Sequence, residues 1–187
     1  MTTSFHRAVT GAVVFALFVA APAGAAERAI VTEAQQTLDT FKKTDPSLAQ
    51  TLATASAYAV FPTITKGAMI LGGAGGEGVL FENGVATGKL TMTQVTVGAQ
   101  VGGQAYSELI CFKDTAAVRD LKAGNLALAA QTSATAAASG AANHASYERG
   151  VQVFTLAKTG LMVEASVGGQ KFTFTPFNKE RVGRRVP

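Results

Sequence analysis

Residues 58–81, YAVFPTITKGAMILGGAGGEGVLF, decide how this chain folds. The stretch is apolar and β-branched at both ends and glycine-rich in its centre. It holds Gly73, Gly75 and Gly78 in the G-x-G-x-x-G spacing of dinucleotide-binding loops. Such a loop works only where a helix follows, because the helix N-terminus holds the pyrophosphate. Here Val79, Leu80, Phe81 and Glu82 run into Asn83-Gly84. That is a short strand entering a tight hairpin turn whose two central residues need positive φ. The glycines therefore predict bulges, bends or close backbone approach in a small curved sheet or barrel.

On the N-terminal side, residues 27–43 read as an amphipathic helix, with Ile30, Ala34, Leu38 and Phe41 on one stripe. Lys42 and Lys43 fall in its last turn, where cations complement the helix dipole. Asp45-Pro46 reads as an N-cap and first helical position, opening a second helix to about Ala55 with Leu48 and Leu52 inward. On the C-terminal side the period is that of strands. Segments 68–71, 78–81, 86–90, 108–112, 151–156, 162–166 and 171–175 are expected strands. Residues 94–101 alternate Val and Ala with Gln, Thr and Gly, as a strand with one buried face does. Asp114 is placed to cap a helix over 115–122 that Gly124-Asn125 ends. The Ala-, Ser- and Thr-rich segment 127–145 fits a helix, a strand or a loop. The fold expected is α+β: an antiparallel curved sheet or small β-barrel of about six to eight strands, with the N-terminal helices packed against it.

Three ordered segments resemble the SYLF-domain family of bacteria (Ysc84-type actin- and lipid-binding domains). The first is Ala57 to Pro62 with Lys66-Gly67-Ala68, Gly72-Gly73 and Gly76 to Leu80. The second is Gly98 to Gln104. The third is Lys158 to Gly169. The resemblance spans roughly residues 35–175. It implies lipid binding, with phosphoinositide and actin binding among eukaryotic members, and it does not imply catalysis.

Residues 1–25 read as a secretory signal: a weak basic start at His6 and Arg7, an apolar run over 8–21, and Ala23-Gly24-Ala25 before the cut. The run is shorter than the roughly 20 residues that cross a bilayer. A periplasmic location, peripheral to a membrane, is the expectation. Residues 26–178 then form one domain and residues 179–187 a basic tail. The whole chain holds 16 Lys and Arg against 12 Asp and Glu. Much of that excess sits in the tail, in Lys179, Arg181, Arg184 and Arg185. A near-neutral body lacks the basic surface that displaces counterions from nucleic acid, so nucleic acid is not an expected partner.

Catalytic patterns are sparse. Cys111 is the single cysteine; it excludes an internal disulfide and a Cys-ligated metal site and is expected to be buried. His144, the one histidine beyond the signal, sits in a polar loop. No G-x-S-x-G elbow occurs. Among the acids Glu77, Glu82, Glu108 and Glu164, Glu77 and Glu164 stand out as candidates for burial and a raised pKa. No cofactor and no metal are expected. The expected function is non-enzymatic binding of phospholipid or a membrane surface in the cell envelope. The contacts expected are Lys66, Phe61, Lys42, Lys43, Arg181, Arg184 and Arg185, with no particular protein partner indicated. A structural or partner-binding envelope protein without a lipid pocket is the alternative.

Overall fold

A computed structural model describes residues 23–68, 71–97, 104–126, 128, 135–159 and 169–178. Helix α1 (Ala23–Thr44) and helix α2 (Leu48–Thr54) lead into β1 (Ala57–Ala68), β2 (Leu71–Glu82), β3 (Val85–Val97) and β4 (Gln104–Phe112). Helix α3 (Thr115–Lys122) is followed by the short strand β5 (Thr135–Ala136), a 3-10 turn (Ala141–Asn143), β6 (Val151–Thr159) and β7 (Gln170–Pro176). The expected α+β class holds. The signal segment 1–22, Gly102 and Gly103, the strand expected at 162–166, Glu164 and the tail 179–187 all lie outside the described residues. Helix α1 opens at Ala23, so the expected cut after Ala25 falls in its first turn.

The seven strands form one sheet in the order β5-β6-β4-β1-β2-β3-β7. All neighbours are antiparallel except β5 and β6, which are parallel. Among the described residues the sheet is open, with β5 and β7 at its edges, so it is a curved sheet and not the closed barrel offered as the alternative. Its curl is strong. Gln170 on β7 donates from Nε2 to Glu108 Oε2 on β4 at 2.9 Å, although four strand spacings separate those strands along the sheet. Laid flat, that is roughly 19 Å at 4.8 Å per spacing.

The curl has a local cause in β1 and β2. The register of β1 slips around Pro62 against both neighbours, because proline has no N–H to give to a ladder and is tolerated inside a sheet only at such a bulge. Opposite the slip, a Cβ on Gly76 would stand 2.6 Å from the Thr63 carbonyl oxygen, and one on Gly78 would stand 2.6 Å from the Phe61 ring. Those two glycines are needed for close approach. Gly73 and Gly75 are not: a Cβ there meets its nearest atom at 3.6 and 3.5 Å. The G-x-G-x-x-G spacing thus lies within a strand, and Asn83 (φ 52°) and Gly84 (φ 75°) make the expected hairpin. The strand expected at 68–71 is instead a boundary: Ala68 ends β1 and Leu71 opens β2.

Both faces of the sheet are buried. The concave side holds Phe61, Ile64, Leu90, Met92, Ile110 and Phe172, with Ala117, Val118 and Leu121 of α3 packed on them. The convex side holds Val60, Val79, Phe81, Leu109, Cys111 and Phe154, covered by Ala34, Leu38 and Phe41 of α1 and Leu48 of α2. The predicted stripe of α1 is thus the face it buries, and Phe172 is buried while Lys171 and Thr173 are exposed. Helix α3 is capped as expected, Asp114 Oδ1 accepting from Ala116 N and Ala117 N at 3.0 Å each. One face reads differently: Val95 points outward and Gln94 is buried, because β3 continues the register that turns Leu90 and Met92 inward.

Candidate functional site

The C-terminal end of α1, helix α2 and the β2–β3 hairpin enclose a groove of about 550 Å³. Its walls are mostly apolar: Leu38 from α1, Leu52 and Ala55 from α2, Ala57 and Tyr58 from β1. Asn83 and Gly84 border it, and Lys42 stands on its rim. Tyr58 stacks on Phe81 with ring centroids 5.1 Å apart, which fixes that wall. Burial, and secondarily Cys111, raises the Tyr58 pKa, so the wall carries a neutral phenol. Among the described residues Lys42 makes one long ion pair, 3.9 Å to Asp39 in its own helix, and Lys43 beside it is exposed.

The elbow beneath this groove is held by a carboxylate. Asp45, fully buried, accepts from Ser47 N (3.1 Å) and Ser47 Oγ (2.6 Å), and across the chain from Gly140 N (3.0 Å) and Ala142 N (2.8 Å). Burial pushes its pKa up, but the Ser47 hydroxyl and the three backbone N–H groups outweigh that, and the net shift is downward. Asp45-Pro46 is the cap and first helical position expected from sequence; instead Ser47 stands at the N-cap and α2 opens at Leu48, and Asp45 is the clamp that ties α1–α2 to the 3-10 turn.

The other residues expected to meet lipid are elsewhere. Phe61, expected as an apolar contact, has no exposed surface and packs 5.9 Å from Phe172 inside the concavity. Lys66 is buried on the same concave side, at the far end of β1 from Ala57, roughly 25–30 Å from the groove at 3.3 Å per residue. Lys42 and Lys43 are therefore together, and Lys66 and Phe61 are not with them. Arg181, Arg184 and Arg185 lie outside the described residues.

The far end of the concavity is polar. Lys66 on β1, Gln94 on β3, Tyr106 and Glu108 on β4 and Gln170 on β7 are all buried there. Glu108 is the buried acid that was sought at Glu77 and Glu164. Glu77 is exposed and pairs with Lys89 at 2.8 Å. Burial raises the Glu108 pKa to about 7, against a smaller lowering by Gln170. Burial, then the Glu108 carboxylate, raises that of Tyr106. The signal available in sequence was position: Glu108 sits within 105–112, AYSELICF, a strand apolar on both faces, where any acid must be interior.

His144 is exposed in its loop and Cys111 is buried, with its thiol pushed up to about 12 by burial. Among the described residues no cluster of three or more metal-ligating side chains occurs, and no helix is long and apolar enough to cross a membrane.

In comparison with known families, residues 93–180 match Ysc84, described as "Las17-binding protein actin regulator". No curated protein matches the chain. The matched region runs from β3 to beyond β7 and contains the second and third segments that resemble SYLF domains; the first, in β1 and β2, precedes it. Over residues 93–180, a little under half of the chain, the expected resemblance to the Ysc84 (SYLF) family is borne out.

Proposed function

We propose that this protein binds phospholipid at a membrane surface in the cell envelope, without catalysing a reaction, after export by its N-terminal signal. The observation that carries the reading is the groove between α1, α2 and the hairpin. An apolar trough of about 550 Å³ is within the range of small-molecule sites, and a lysine on its rim suits an anionic head group above an acyl segment. Lys42 and Lys43 supply charge at that edge. The tail residues Lys179, Arg181, Arg184 and Arg185 add attraction to anionic lipid, each worth about 1 kcal/mol near the surface. Phe61 and Lys66 are left out, since both are buried on the opposite side of the sheet.

Organic extracts of protein purified in its folded state test this by mass spectrometry. Phospholipid near one mole per mole, lost in a Leu52→Glu variant of unchanged circular dichroism, is the expected result. No lipid in either sample sends the reading to its alternative. The family description names binding to a protein, so that alternative is partner binding with the groove as a fold by-product.

A further inference from the structure

We propose that Glu108 and Gln170 form a proton-operated clasp that holds edge strand β7 across the concave side of the sheet, closed when Glu108 is protonated and loosened when it is ionised. The clasp joins strands that are not neighbours: β7 is bonded laterally to β3 alone among the described strands, and the bond from Gln170 Nε2 to Glu108 Oε2 is its polar tie to β4. Glu108 is fully buried, and among the described residues its Oε1 has no hydrogen-bond partner, nor has Gln170 Oε1. Two acceptors without donors in one buried pair lack a proton. A proton on Glu108 supplies a donor and removes a buried charge.

Among the described residues no facing group donates to either of those two oxygens. The titratable groups on the same side, among the described residues, are Tyr106 of β4, whose pKa is raised first by burial and then by the Glu108 carboxylate, against a smaller lowering by a hydrogen bond with Gln170, and Lys66 of β1. Among the described residues Lys66 makes no ion pair with Glu108, whose pKa is set by burial and Gln170. Gln94 of β3 and Thr155 of β6 are the facing neutral groups, paired in register with Gln170 and Glu108. On α3, Lys122 is engaged with Glu82 at 2.6 Å and lies over the Phe174 ring, and Arg119 and Asp120 are exposed. Loosening β7 uncovers Phe61, Met92 and Phe172, an apolar surface that closure hides.

Hydrogen exchange of the full chain, corrected for intrinsic rates, tests the clasp at pH 5.5 and pH 8.5. If opening returns Glu108 to an ordinary carboxylate pKa, protection over 170–176 should fall about 30-fold between the two, while β1 and β2 change little. Glu108→Gln, neutral at every pH, should abolish that difference. Gln170→Leu should lower β7 protection at pH 5.5 toward the wild-type value at pH 8.5. Equal protection of β7 at the two pH values in the wild type, which needs no variant, overturns the proposal. So does an undiminished pH effect in Glu108→Gln.

Discussion

Asp45, beneath the helices, and Glu108, inside the concavity, are both carboxylates without solvent contact, yet their surroundings drive them opposite ways. Asp45 accepts four hydrogen bonds, two of them from a loop some 95 residues away in sequence, and its pKa is lowered. Among the described residues Glu108 accepts one, from Gln170, and its pKa is raised to about 7. Burial alone disfavours both charges; the number of donors decides the sign. The helix end is therefore a braced edge beside an open groove. The concavity is a filled core in which Glu108 Oε1 and Gln170 Oε1 lack a donor among the described residues.

The largest effect should come from breaking the brace. Asp45→Ala leaves the N–H groups of Gly140 and Ala142 without their acceptor. At roughly 1–3 kcal/mol per orphaned group, urea unfolding at pH 7 should show a loss of about 4 kcal/mol. A loss under 1 kcal/mol would mean that water replaces the carboxylate freely and the contrast with Glu108 is false.

Next is Glu108→Gln, with the opposite sign. A carboxyl group whose folded pKa is raised contributes stability that is complete below its unfolded value, near 4.5, and is lost as pH rises through about 7. The substitution should leave stability at pH 4 nearly unchanged and increase it at pH 8.5 by about 3 kcal/mol. Asp45 works the other way: its contribution is present above the ordinary aspartate range and lost as pH falls through its lowered folded pKa. From this pair of groups the wild type should be most stable near pH 4–5, and a melting-temperature profile over pH 3–9 checks it.

A smaller effect tests whether the concavity is filled. Gly78→Ala drives a methyl group into the Phe61 ring and should cost about 1–3 kcal/mol. Gly73→Ala, with ordinary contact distance, should stay within about 0.5 kcal/mol in the same thermal assay. Equal responses would remove the argument that Gly78 is fixed by packing.

What sequence made legible was mainly local. The stripe of α1, the Asn83-Gly84 turn, the Asp114 cap and the Phe172 alternation are each set within a few residues, and each is found where expected. The length of β1 was not legible, because Pro62 argues against an interior strand until the bulge opposite Gly76 and Gly78 is seen. The role of Asp45 depends on Gly140 and Ala142, and no spacing rule links residues so far apart. The choice of Glu108 over Glu77 as the buried acid turns on both faces of β4 being covered, which is a property of the assembled sheet. For the groove, Lys42 and Lys43 were legible as the last turn of a helix; Leu52, Tyr58 and Asn83 become its other walls only when the hairpin folds against α2.

The braced end should bind and the filled concavity should not, and co-sedimentation with phosphatidylglycerol vesicles at low salt tests that most directly. The double charge reversal Lys42→Glu/Lys43→Glu alters exposed side chains but opposes the dipole at the end of α1, so it should cost about 1–2 kcal/mol of unfolding stability and leave the fold intact. It should weaken vesicle binding at least tenfold, at about 1 kcal/mol per basic residue removed near an anionic surface. Wild-type binding that survives the reversal unchanged, or a wild type that does not sediment with vesicles at all, would contradict a lipid site at this groove.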